Sequence, residues 1–172
     1  MYPTEYIQFL IHFHGDYDYF ECHEILEEYW KLKPRGERDN YLVGLIQIAV
    51  SSYHHRRSNW NGAEKMIKSA ITILEKSSAQ LHQFGIDHKQ LTFLLNERLQ
   101  SIHKKENFAP LFLPLLDVSL EKQCIQLCKK QNLSWKDANV IPGEYIINKH
   151  TLRDRTDVIS ERHEQLQKRK QR

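Results

Sequence analysis

Between Leu42 and Val50 the chain reads Leu-Val-Gly-Leu-Ile-Gln-Ile-Ala-Val, nine residues with one polar side chain. Leu42, Leu45, Ile46, Ala49 and Tyr53 recur at helical spacing, and Val43, Ile48 and Val50 carry the apolar surface round the side. A helix apolar on most of its faces is stable only when other helices surround it. This segment, from about Glu37 to Arg57, therefore predicts an all-α protein: an antiparallel bundle of about five core helices with this one at its centre. The rest of the 172-residue chain agrees. Six Gly and five Pro leave long stretches free for helix, and no extended run alternates apolar with polar, so few or no strands are expected.

Local signals mark the other helices. The first is expected from about Thr4 to His14, with Tyr6, Ile7, Leu10 and Phe13 on one face, and Gly15 suits the left-handed residue that ends it. Asp18 and Glu21 form a capping pair for the second, which should stop before Pro34. The short turn at Pro34-Arg35-Gly36 folds the central helix back on it. Asn59 caps a fourth helix with small residues, Gly62 and Ala63, near its start, where a neighbouring backbone can approach. Asp87, with Gln90 three residues on, opens a fifth.

Beyond about Lys105 the texture changes. Ala109 to Leu116 is apolar but interrupted by Pro110 and Pro114, which predicts an extended strip laid over the core. A short helix capped by Ser119 and carrying Leu120, Cys124, Leu127 and Cys128 should follow, then irregular chain to Asn148 with a turn at Pro142-Gly143. The expected organisation is a bundle over 1–104 and an extension over 105–172 that packs on it and ends in an exposed basic helix, 148–172. That end holds eight Lys or Arg against four Asp or Glu, while the first 147 residues hold 17 basic and 18 acidic side chains. A basic end on a near-neutral body is compatible with nucleic acid, but no aromatic residues interleave its cations for base stacking. Three cysteines without disulfide spacing suit a reducing, cytoplasmic setting, and no apolar run is long enough for a membrane span. Partners are otherwise unspecified; a homo-oligomer is compatible with the pattern.

The chemistry concentrates on the second helix. In Phe20-Glu21-Cys22-His23-Glu24-Ile25-Leu26-Glu27-Glu28-Tyr29-Trp30, helical spacing places His23 and Glu27 between Phe20 and Trp30 on a stripe that should be core. Ionisable groups on an apolar face need partners within the fold or have work to do there. Gln47 and His54, seven apart on the central helix, are the expected counterparts if the two helices pack antiparallel. His23, Glu24, Glu27, Trp30, Gln47 and His54 thus form a candidate ligand pocket, with His23, Glu27 and His54 as candidate ligands for a divalent metal such as zinc, manganese or iron. The competing reading is a hydrogen-bond network that fixes helix register in a non-enzymatic interaction module. The histidine-glutamate zinc-protease signature is incomplete, because Glu27 stands where its second histidine would be. No phosphate loop, nucleophile elbow or Cys-x-x-Cys pair is present, and no residue pattern specifies catalysis.

Four ordered blocks carry a resemblance: Phe13-His14-Gly15-Asp16-Tyr17, His23-Glu24-x-Leu26-Glu27-x-x-Trp30, Gly44-Leu45-Ile46-Gln47-x-Ala49 and Asn59-Trp60-x-Gly62-Ala63. Together, over about residues 5 to 80, they resemble the bacterial family called domain of unknown function 309. The resemblance implies a small all-helical fold and no established activity. It marks His23, Glu24, Glu27, Trp30, Gln47, Asn59, Gly62 and Ala63 as characteristic positions, and it does not extend past about Lys105.

Overall fold

Short acidic and amide side chains open the long helices. In the computed structural model, which describes residues 1–152 with Ser160, His163 and Gln167, nine α-helices are present among the described residues. They are α1 (Thr4–Ile11), α2 (Tyr19–Lys31), α3 (Asn40–Arg56), α4 (Trp60–Leu74), α5 (Ser78–Gln83), α6 (His88–His103), α7 (Val118–Lys130), α8 (Glu144–Ile147) and α9 (Lys149–Leu152). The Asp18 carboxylate accepts from Glu21 N at 2.9 Å, Asn59 Oδ1 from Gly62 N at 3.1 Å and Asp87 from Gln90 N at 3.0 Å. Each satisfies an amide that the first helical turn leaves without a partner. Asn59→Ala should therefore destabilise the fold by about 1 kcal/mol in urea titration. A variant as stable as the parent would mean that the α4 start is held by packing alone.

Two local expectations are corrected. The α1 path does not end at Gly15; it widens into a π-helical turn, His12–Asp16, and the left-handed residue is Tyr17, at φ 55°. The wide turn carries the helix end past Gly15. Gly15 instead gives room: a Cβ there would stand 3.3 Å from Cys128 Sγ and from Leu133 Cδ1. At α7 the cap is Asp117, not Ser119, because its carboxylate reaches two amides, Ser119 N at 2.8 Å and Leu120 N at 3.2 Å. The stretch expected to be irregular before Asn148 contains α8.

Core helices run antiparallel. Gly44 meets Leu74, Ser51 Oγ donates to Ala63 O at 2.8 Å, and His54 lies against Gly62, so numbers fall on α4 as they rise on α3. On the other side Phe20 meets Tyr53 and Arg56 covers the Tyr19 ring, which sets the start of α2 beside the end of α3. Leu45, Ile48 and Ala49 of α3 are buried, as the apolar sequence required. The proline-interrupted strip lies over the bundle with Leu111 and Leu113 buried. It is stitched down by Asp87 N donating to Pro114 O and Leu116 N donating to Gly85 O, an isolated bridge rather than a strand. Leu120, Cys124 and Cys128 of α7 join the same buried cluster as Phe9, Leu10 and Phe13 of the α1 region.

Among the described residues no helix is long and apolar enough to cross a membrane. Most of the expected basic terminal helix, beyond Leu152, lies outside the described residues, so its proposed contact with nucleic acid does too.

Candidate functional site

One turn of α2 brings three ionisable groups together. His23 Nδ1 lies 3.0 Å from Glu24 Oε1, and its Nε2 lies 2.8 Å from Glu27 Oε2. One ligand atom from each of the three residues falls within 4.8 Å of the others. The i,i+4 spacing sets Glu27 one turn beyond His23, and the second oxygen of Glu27 meets Lys31 Nζ at 2.6 Å. The histidine is 28% exposed, sheltered yet reachable from solvent.

Proton bookkeeping makes this arrangement informative. A neutral imidazole has one N–H and can donate to one carboxylate only; its other nitrogen is an acceptor. His23 is thus flanked by acid on both sides of the ring. One imidazole and two carboxylates have the composition of a divalent-cation site, and equally of a histidine–acid network.

Behind His23 is a cavity of about 200 Å³, walled by Tyr19 and Phe20 of α2, Val50 and Tyr53 of α3, and bounded by His23, His54, Arg57 and His150. The two helices do bring their imidazoles to one space. His54, however, belongs to no three-ligand cluster among the described residues. Its Nδ1 faces Asn59 Nδ2 at 3.0 Å, and Gly62 leaves it room, since a Cβ there would stand 2.9 Å from His54 Cγ. Burial, and then the positive Arg57 and His150, hold His54 below the ordinary histidine range. Gln47 and Trp30 do not line this cavity. Gln47 Oε1 and Trp30 Nε1 are both buried without a hydrogen-bond partner, and Arg38 lies over the Trp30 ring at 4.5 Å.

The pattern of residues 20–54 gave no sign of what closes the cavity. Arg57 Nε donates to Asn148 Oδ1 at 3.1 Å, and His150 N donates to Tyr53 Oη at 3.2 Å. Lys149 Nζ bridges Asp18 Oδ2 at 2.8 Å and Glu21 Oε2 at 2.7 Å. Against the effect of burial, those two carboxylates raise the Lys149 ammonium above its ordinary range. The cap of α2 therefore also clasps the C-terminal segment. Elsewhere, burial pushes the Cys124 thiol up to about 12 and the Cys128 thiol up to about 11. Both stay protonated at neutral pH, as core residues rather than thiolate ligands.

A family model described as a domain of unknown function, number 309, matches residues 6–66, which include all four signature blocks and the His23, Glu24, Glu27 turn. Over 170 residues the chain is 42% identical to the uncharacterized protein YpuF of Bacillus subtilis (strain 168), spanning 99% of this chain and 98% of that protein. The likeness therefore includes the C-terminal segment that closes the cavity. No solved structure matches. The chain belongs to the domain of unknown function 309 family.

Proposed function

We propose that the protein is a cytoplasmic helical binding module that holds a divalent metal ion, zinc, manganese or iron, on His23 and Glu27. The observation that carries this reading is the pair of carboxylates on the two ring nitrogens of His23. Glu24, 3.0 Å from Nδ1, stands beside the ring as an acid neighbour of the metal-binding imidazole. Nitrogen and carboxylate donors suit all three metals. Two or three protein donors leave coordination positions open to a small polar ligand. The three free, buried cysteines support a reducing compartment.

A second reading rests on the same contacts. If no metal is held there, the cluster is a histidine–acid network on α2, braced by Lys31. The protein is then a structural or interaction module. Metal content separates the two. Protein prepared without chelator or affinity tag should retain metal in equimolar amount and bind zinc, manganese or ferrous iron in calorimetry, and His23→Ala and Glu27→Gln should each lose both. Absence of metal, with no thermal shift on adding any of the three ions, would leave the network reading.

A further inference from the structure

The cavity behind His23 has a second chemical character that the cation site does not use. Asn59 Oδ1 accepts from Gly62 N, so the group that Asn59 turns to His54 is its amide NH₂, a donor. His54 Nδ1 must accept that hydrogen bond, which places the ring proton on Nε2. His54 is then a neutral imidazole with a free N–H donor, in keeping with a titration held low by burial and by neighbouring cations. Arg57 uses Nε on Asn148, and its two terminal nitrogens have no hydrogen-bond partner among the described residues. Both side chains line the cavity, whose lining holds no carboxylate among the described residues.

Donors without acceptors define half of a recognition site; the other half is the wall. The Phe20 and Tyr53 rings lie 6.4 Å apart, the His150 ring packs 5.9 Å from Phe20 and 6.5 Å from Tyr53, and Val50 completes an apolar side. The guanidinium of Arg57 lies over the Tyr53 ring at 5.2 Å, which fixes its plane at the cavity edge. A volume of about 200 Å³ is below the usual range for drug-sized ligands, so the occupant is small. A bare inorganic anion would make no use of the apolar side, and a neutral aromatic would give the half-exposed Arg57 and His54 no charged acceptor.

We propose that this cavity binds a small aromatic monocarboxylate, its ring against the side formed by Val50, Tyr53 and Phe20 and its carboxylate on Arg57 and His54. This goes beyond the cation reading and does not depend on it. Arginine suits the carboxylate because two terminal N–H groups can meet two oxygens at once. The segment from Asn148 to His150 forms the roof, so the site is complete only when the C-terminal segment is docked.

Calorimetry of the full chain in EDTA, with benzoate, benzamide and inorganic phosphate as probes, tests the proposal without any contribution from metal. Benzoate should bind, benzamide and phosphate should bind at least tenfold more weakly, and Arg57→Gln should weaken benzoate at least tenfold. Arg57→Gln also loses the bond to Asn148, so Val50→Phe serves as the second variant: it fills the ring space, keeps every donor, and should abolish benzoate binding. The proposal is overturned if wild-type protein ignores benzoate, if benzamide or phosphate binds as well as benzoate, or if Val50→Phe binds it unchanged. Because EDTA is present throughout, failure here leaves the metal question untouched, and a failed metal titration leaves this one.

Discussion

Gly44→Val should lower stability by about 3 kcal/mol, the largest loss expected from any single helix-surface change in this protein. A Cβ on Gly44 would stand 2.5 Å from Leu74 Cδ2 and 2.6 Å from Leu74 Cγ, with Ile73 Cγ2 at 3.3 Å. Leu74 is 1% exposed, and it belongs to the buried cluster, so it moves only by displacing core neighbours. The two backbones must separate, and α3 and α4 form the most extensive helix pair of the bundle. Alanine would recover up to about 1 kcal/mol in helix propensity; valine recovers less and adds two methyl groups to the clash. Urea titration of both variants measures this. Stability equal to the parent in Gly44→Val would show that α3 and α4 do not approach as described.

Acid should destabilise the protein through His14. This side chain is fully buried, with neither ring nitrogen hydrogen-bonded, against Phe13, Phe112 and Trp135. Burial, reinforced by the charge of Lys136, holds it well below the ordinary histidine range. In the unfolded chain it takes up a proton near pH 6.5, while in the folded protein it stays neutral. Between those two values the unfolded state binds the extra proton, so stability is full above about pH 6.5 and falls as the pH drops, by about 1.4 kcal/mol per pH unit. His54 and His55 are also held low by burial and contribute in the same direction. His12 opposes them: against the effect of burial, Asp16 raises it, so its contribution grows as the pH falls. His14→Leu should be at least as stable as the parent at neutral pH, with a margin that widens as the pH falls below about 6.5. Parallel stability–pH curves for the two proteins would contradict the account of His14.

The sequence was most readable where the deciding interactions are local. Asp18, Asn59 and Asp87 each reach an amide three residues on, so their caps follow from spacing alone. The apolar run of α3 required a central position and has one. At α7 two good caps stand close together, and the choice between Asp117 and Ser119 depends on which oxygen reaches two amides, a matter of geometry rather than residue type. Tyr17 in a left-handed conformation follows from the π-helical turn before it, which no periodicity announces.

The candidate site divides in the same way. His23, Glu24 and Glu27 lie within one helical turn, and the spacing that suggested them also brings them together. His54 shares a cavity with His23 because α2 and α3 are antiparallel, but a hydrogen bond to Asn59, five residues on, engages its Nδ1. Trp30 and Gln47 stand seven residues, about 10 Å of helix rise, from His23 and His54, and a space this small does not reach them. The closing contacts join residues 91 and 131 positions apart, Arg57 to Asn148 and Asp18 to Lys149. Nothing local in either partner announces such a contact.

The central claim is that a cation bridges the imidazole and the carboxylate one turn apart on α2. Anomalous diffraction from crystals grown with zinc or manganese addresses it directly. The account predicts a peak at bonding distance, about 2.1 Å, from both His23 Nε2 and a Glu27 oxygen. A map without a peak there, His23 still held between its two acids at saturating metal, would contradict it.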